Sequence, residues 1–454
     1  MITISFAVMI GAVVLSLLSL RSSRGDALGI PLVAIGAFVF LYVVQPFSLV
    51  QSGAADTLFT EWQMVKALFV PALMLSCYVS GWRAQPKRIR VVSRPAWSPR
   101  GLWTFGLGTM VVGFSLYLIF LQRSGGVLYS FSQPHGRAMA FEQNTAYLYD
   151  GPWWMLSGSV MMVFATSKLR LEGWRKVAFI LSFVVLLGQA VLTGSRGPLF
   201  STCATLLVSY SITRAKKVSL ARACALLAML GFSVLMMVGF REVLHLGTDV
   251  SDAPSVLAAL DSSISLDESA KANGVAGQEF VLHAALIDTV DQTHKFGLGL
   301  GWLYYLAINP IPKILWPEKH YPDTPGVTWD DTVEKTGIAA ADGAACGIVA
   351  DLYRQFGLLE ALFLYLLGRF SRKLFVSACR LDSPLPLCAY VMLYAVSLNM
   401  FAQGFGSIFV SFGFSMAPVL LFTFLSGIGS RKRFRSPAAP LPPRTMEGAP
   451  AQCS

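Results

Sequence analysis

The sequence predicts an all-α polytopic membrane protein, with about eleven transmembrane helices and one large outer loop containing short amphipathic or re-entrant helices. Three observations carry that prediction. Hydrophobic residues make up 54% of the 454 residues and charged residues only 13%, against about a quarter in soluble domains, and mean hydropathy is +0.58. Apolar runs of membrane-spanning length, roughly twenty residues, recur too often for a soluble core to absorb them. From about Arg241 to Ala340 those runs stop. Acidic residues, prolines and tryptophans take over, as in LAINPIPKILWPEKHYPDTPGVTWDD.

In chain order, spans are expected at about 2–20, 28–49, 62–81, 101–121, 152–167, 177–193, 197–213, 219–240, 344–368, 385–402 and 407–428. The first run begins Met-Ile-Thr-Ile, with no positive segment ahead of it and no small-residue cleavage site behind it, so it reads as a span and not a signal peptide. The chain thus divides into an N-terminal bundle of about eight helices (1–240), the large loop (241–341), about three C-terminal helices (342–430) and a tail (431–454). The tail, rich in proline and alanine, is expected to be disordered.

Short loops fix the orientation, because Lys and Arg accumulate on the cytoplasmic side. Arg21 and Arg24 follow the first span, and Arg83, Lys87, Arg88, Arg90, Arg94 and Arg100 follow the third. Lys168, Arg170, Arg175 and Lys176 follow the fifth; Arg214, Lys216 and Lys217 follow the seventh. Arg369, Arg372, Lys373 and Arg380 follow the ninth, and Arg431, Lys432, Arg433 and Arg435 the last. With eleven spans all of these fall on one side, leaving the N-terminus outside and the C-terminus in the cytoplasm. The large loop falls outside, and with six basic against fourteen acidic residues it is net acidic. The formal charge of +11 therefore reflects membrane topology. It does not point to a nucleic-acid partner, since no basic stripe with interleaved aromatics is present.

The seven cysteines form no CxxC pair. Cys77, Cys203, Cys224, Cys379 and Cys388 lie in or beside spans, while Cys346 and Cys453 are scattered, so neither a disulfide framework nor a metal site is expected. GLGLGW contains GxGxG but follows no strand pattern, which makes it a turn and not a dinucleotide site. No cofactor is expected.

Candidate chemistry lies where polar groups sit near membrane depth, because charges there are costly and face a cavity or a partner. In LTGSRGPLF, Arg196 occupies a glycine-flanked outer turn at the start of a helix, where its planar fork and the free backbone N–H groups can hold an anion; the alternative is an interfacial anchor. The loop SQPHGRAMAFEQNTAYLYDGPWW carries His135, Arg137, Glu142, Tyr147 and Asp150, or is an ordinary solvated loop closed by tryptophans. In the large loop, which starts at Arg241, PIPKILWPEKHYPDTPG sets Lys313, Trp316, Lys319, His320 and Tyr321 on a proline-stiffened path. Aromatic faces there suit sugars and lysines suit phosphate oxygens. Upstream, QEFVLHAALIDTVDQTHKFGLGLGWLYYLAI reads as amphipathic or re-entrant helices at the membrane surface. They carry His283 and His294, for which packing is the simpler role. In IVADLYRQFGLLEALFLYLLG, Asp351 and Arg354 share a helix face at i,i+3 and can pair, either as a structural pair or as the lining of an outer cavity, and Glu360 follows in the same apolar run.

Read in order, TGSRGPLF, FGLGLGWLYYLAINPIPKILWPEK and GIVADLYRQFGLLEALFLYLLGR resemble segments of the bacterial oligosaccharide repeat-unit polymerases, the O-antigen polymerase family (Wzy-type). The resemblance covers roughly Gly194 to Gly368 and the general topology. Three positions depart from the family pattern. Lys313 stands where arginine is usual, Asp351 where glutamate is usual, and the segment from Asn399 to Gly404 where Arg-Gly is often found.

The resemblance implies a glycosyltransferase of the bacterial inner membrane that needs no nucleotide sugar, with the large loop in the periplasm. The donor would be a glycan on undecaprenyl diphosphate, the acceptor a single repeat unit on a second such lipid, and a chain-length regulator protein is a further candidate partner. Arg196, Arg354 and Arg137 would carry the chemistry by stabilising the leaving diphosphate. Lys313, Lys319, His320, Trp316, Arg241, His283 and Asp351 would hold substrate. Two alternatives stand beside it: an O-antigen ligase, which uses the same donor, and a polysaccharide transporter, against which the absence of an internal repeat and the asymmetric loop argue.

Overall fold

A computed structural model describes residues 1–22, 29–84, 97–123, 146–192, 196–214, 278–308, 311, 316, 318, 325–338 and 345–433. Helices and their connections account for these residues, with no strand among them. In chain order the helices are α1 (Ile2–Ser22) and α2 (Ile30–Val39), continued through a π-helical turn (Phe40–Val44) into α3 (Gln45–Gln51), then α4 (Ala54–Leu58), α5 (Glu61–Arg83) and α6 (Pro99–Arg123). A single turn, α7 (Ala146–Tyr149), leads into α8 (Gly151–Ala165), α9 (Trp174–Leu192) and α10 (Arg196–Thr213). The second half comprises α11 (Gln278–Thr293), α12 (Leu300–Ile308), α13 (Trp329–Thr336), α14 (Gly347–Phe356), a 3-10 turn (Gly357–Leu359), α15 (Glu360–Cys379), α16 (Pro384–Gln403) and α17 (Gly406–Arg433).

Five of these stretches are long and apolar enough to cross a membrane, namely Ile2–Leu20, Ile30–Gln51, Glu61–Arg83, Pro99–Arg123 and Pro384–Gln403. Their outward faces stay greasy: Ile4, Leu15 and Leu18 on α1 and Val111 and Val112 on α6 are exposed, as are Val177, Leu181 and Val184 on α9. Exposed apolar stripes on long helices of this kind are what lipid, not water, covers. Predicted span 219–240, the loop 124–145, loop residues 241–277 and the tail from 434 onward lie outside the described residues.

One predicted element differs in form. The run 344–368 is not a single helix: α14 ends where Gly357 takes φ +56, a 3-10 turn follows, and α15 then continues past the expected end to Cys379. Hydropathy is blind to this break, because the residues across it, Gly-Leu-Leu, are as apolar as a helix interior.

With no hydrophobic drive between helices in lipid, close approach and van der Waals contact hold a bundle together. Here that approach is made by glycine. A Cβ on Gly81 of α5 would collide with the Tyr365 carbonyl of α15, and one on Gly368 of α15 with the Tyr78 carbonyl of α5. Further along the same pair, the Arg372 guanidinium lies 5.4 Å over the Trp82 ring and the Phe375 ring 5.8 Å from it, so the two helices run in the same direction.

These packings sort the bundle into two ends. At one, Trp97 just before α6 donates through Nε1 to the Asp382 carbonyl at 3.1 Å and stacks under Lys168 at 4.7 Å. The basic ends of α5, α8 and α15 therefore meet there. At the opposite end the N-terminal ammonium reaches Glu61 at 2.7 Å, and the chain reverses through Gln403–Gly406 between α16 and α17.

Candidate functional site

The second end, away from the basic loops, is where buried polar groups converge. Two short helices, α11 and α14, are enclosed there by the longer ones. Of the two forms expected of this segment, amphipathic or re-entrant, α11 does not lie exposed along the surface as an amphipathic helix would. Phe280, Leu282, His283, Ala285, Ile287 and Val290 are all buried, so most of it is covered, and among its described residues only Gln292 near its end is exposed. Glu279 and Asp291 find partners far away in sequence. Gln45 donates from Nε2 to Glu279 at 2.6 Å and accepts from the Phe280 N–H at 3.0 Å, which caps the start of α11 from the end of the π-turn. Lys66 of α5 forms an ion pair with Asp291, to which the Tyr353 hydroxyl of α14 also donates at 2.8 Å. Lys66 also lies 5.2 Å from the centre of the Tyr353 ring.

On the neighbouring turn of α14, Asp351 and Arg354 pair as their spacing predicts, with Arg354 Nη2 donating to Asp351 Oδ1 at 3.0 Å. The other carboxylate oxygen, Oδ2, accepts from the backbone N–H groups of Phe405 and Gly406 at 2.8 and 3.3 Å, the free donors at the head of α17. Gly404 makes this possible: its φ of +120 is closed to side chains, and a Cβ would press on the Asp351 carboxylate at 3.0 Å. Asp351 is thus occupied within the fold. Arg354 keeps capacity through the exposed part of its side chain, which is 25% exposed, while its unpartnered Nε is buried.

The GLGLGW turn supports this helix. The N–H groups of Gly297 and Leu298 donate to the carbonyls of Arg354 and Gln355, each at 3.0 Å, and Gly299 donates to Gln355 Oε1 at 2.9 Å. These bonds satisfy the open C-terminal carbonyls of α14, so the turn is a backbone clamp. Trp302, just beyond it, packs against Phe356, Phe363 and Phe405 at ring separations of 5.6, 6.0 and 5.2 Å.

The other expected site residues fall variously. His283 is fully buried, with Nε2 3.2 Å from the Ala67 carbonyl and its ring 4.8 Å from that of Tyr42. That placement withdraws it from substrate contact and makes it a packing residue. Arg196 opens α10, the helix-head position expected of it. Trp316 is half-buried. Arg137, Arg241, Lys313, Lys319 and His320 lie outside the described residues, as does the loop around His135. The sequence reading passed over Lys66, Asp291 and Tyr353. A lysine inside the apolar run EWQMVKALFVPALML was a signal, since a cation at that depth needs a partner, but the partner's identity was not legible.

No family model, curated protein or solved structure matches this chain. Among the described residues no group of three or more His, Cys, Asp or Glu stands together as a metal site.

Proposed function

We propose that this protein is an inner-membrane glycosyltransferase that joins oligosaccharide repeat units carried on undecaprenyl diphosphate, working at the periplasmic face. The observation that carries the reading is Arg354. It is a guanidinium held in place by Asp351 and by a clamped helix, at the end of the bundle away from the basic loops, with its side chain still partly exposed. The order of the three motifs along the chain supports it. So does the gathering of basic helix ends at the other end, which the positive-inside rule makes cytoplasmic.

In this reaction the acceptor hydroxyl attacks the anomeric carbon of the donor. The bond from that carbon to the diphosphate oxygen breaks, undecaprenyl diphosphate departs and the hydroxyl proton is released. Negative charge grows on the leaving oxygen. A cation already fixed toward that oxygen lowers the barrier, because no reorganisation is needed as the charge develops. Arg354 supplies one such group, with Arg196 at the head of α10 and Arg137 as companions. Lys313, Lys319, Trp316, His320 and Arg241 of the large loop would hold the sugar chain.

Deleting the protein in its host and running the lipopolysaccharide on a gel tests the reading. Core bearing one repeat unit is the expected product, whereas core alone would overturn it in favour of a ligase or a transporter. Arg354→Lys keeps a cation beside Asp351 but loses the planar fork. Both it and Arg354→Ala should shorten the glycan ladder at unchanged membrane insertion, the alanine variant losing on the order of 2–4 kcal/mol of transition-state stabilisation. Unaltered ladders from both would leave Arg354 a structural partner of Asp351.

A further inference from the structure

The first residue of α15, Glu360, is the least accommodated group in the described structure. Its side chain is 0% exposed, while Leu358, Leu359 and Leu362 around it are exposed. Neither of its carboxylate oxygens has a hydrogen-bond partner among the described protein groups. Its depth follows from the packing of α15 on α5. Gly368 sits against Tyr78 and Trp82 near the basic end of α5, and Glu360 lies about 12 Å farther from that end at 1.5 Å per residue. It is therefore opposite the middle of a membrane-spanning helix.

Among the described residues no cation forms an ion pair with Glu360. Arg354 is engaged by Asp351. Tyr42 is likewise buried, and it sits on a π-turn, a helix distortion that recurs at functional sites. An unpaired carboxylate in such a place is prohibitive, whereas the neutral acid is affordable.

We propose that Glu360 is a proton-binding site in the interior of the bundle, its carboxyl carried as the neutral acid at physiological pH. The ligand is the proton itself. It leaves only when the helices around Glu360 part far enough for water to solvate the carboxylate, so occupancy is tied to the closed arrangement of α5, α14 and α15. The site stands independently of the glycosyltransferase reading.

Infrared spectroscopy of the purified full-length protein in detergent at pH 7 tests it. The difference spectrum between wild type and Glu360→Gln should contain one carbonyl band of an un-ionised carboxylic acid, moving to lower frequency in heavy water. Loss of carboxylate bands alone would show Glu360 to be ionised and overturn the proposal. Should Glu360→Gln fail to fold, wild-type protein grown with carboxyl-13C glutamate serves instead. An un-ionised acid band that shifts with the label supports the site, and its absence overturns it.

Discussion

A carboxylate among apolar helices has to be paired, and Asp351 meets that demand with three donors: Arg354 and the N–H groups of Phe405 and Gly406. One side chain thereby pins α14 to the head of α17 and aims Arg354. Only the i,i+3 half of this was legible in the sequence, because the other two donors lie more than fifty residues away. Asp331, by contrast, works locally. It accepts from the Thr328 N–H at 2.8 Å while its own N–H donates to the Thr328 hydroxyl at 3.1 Å, and Lys295 reaches it at 3.0 Å. The Thr328 N–H first, then Lys295 and the Thr328 hydroxyl, hold its carboxyl down to about 2. A depressed carboxyl stabilises the fold above the unfolded value, near 3.9, and that contribution disappears as pH falls through the folded value. Amide-exchange protection in Thr328–Gly337, corrected for the intrinsic rate at each pH, should therefore be high at pH 5 and fall as pH drops from about 4 toward 2. In Asp331→Asn the acid step should vanish; an unchanged step would mean that another group holds α13.

At the scale of elements, backbone contact sets which helices meet. Gly81 and Gly368 let α5 and α15 touch with no side chain between them, and the same pattern of reciprocal glycines recurs between α6 and α8, where Gly106 faces the Gly158 carbonyl. Most helices were legible because an apolar run of sufficient length has few alternatives in lipid. The break at Gly357 was not legible, since a positive φ leaves no mark on hydropathy. Nor were the partners that hold α11, since Glu279 and Asp291 meet Gln45 and Lys66, each more than two hundred residues away. A paired comparison isolates the close approach. Alanine raises helix propensity equally at Gly368 and Gly108, by up to about 1 kcal/mol, but only at Gly368 does its Cβ strike backbone, while Gly108 has nothing within 4 Å. Gly368→Ala should lower the melting temperature in detergent by the equivalent of about 1–3 kcal/mol, and Gly108→Ala should leave it unchanged or raised. Equal shifts would show that α5 and α15 can part without cost.

For the whole molecule, the division of the bundle into two ends ties topology to site. Basic residues at the ends of α5, α8 and α15 converge around Trp97, Lys168 and Asp382, whereas Lys66, Asp291, Tyr353, Asp351 and Arg354 gather at the other end. The charge bias of the short loops already pointed to one basic face; which polar groups assemble opposite it depended on helices meeting across hundreds of residues, beyond the reach of a sequence pattern. If basic segments are retained in the cytoplasm, the stretch after α5 faces inward, and the acidic stretch from Arg241 to Ala340 faces outward together with the Arg354 end. Alkaline phosphatase, active only after export, reads this directly. Fusions near Thr248 and Thr328 should be active and one near Lys87 inactive. An active fusion at Lys87 would invert the bundle, place Arg354 at the cytoplasmic face and remove it from any chemistry on exported glycans, whatever its geometry.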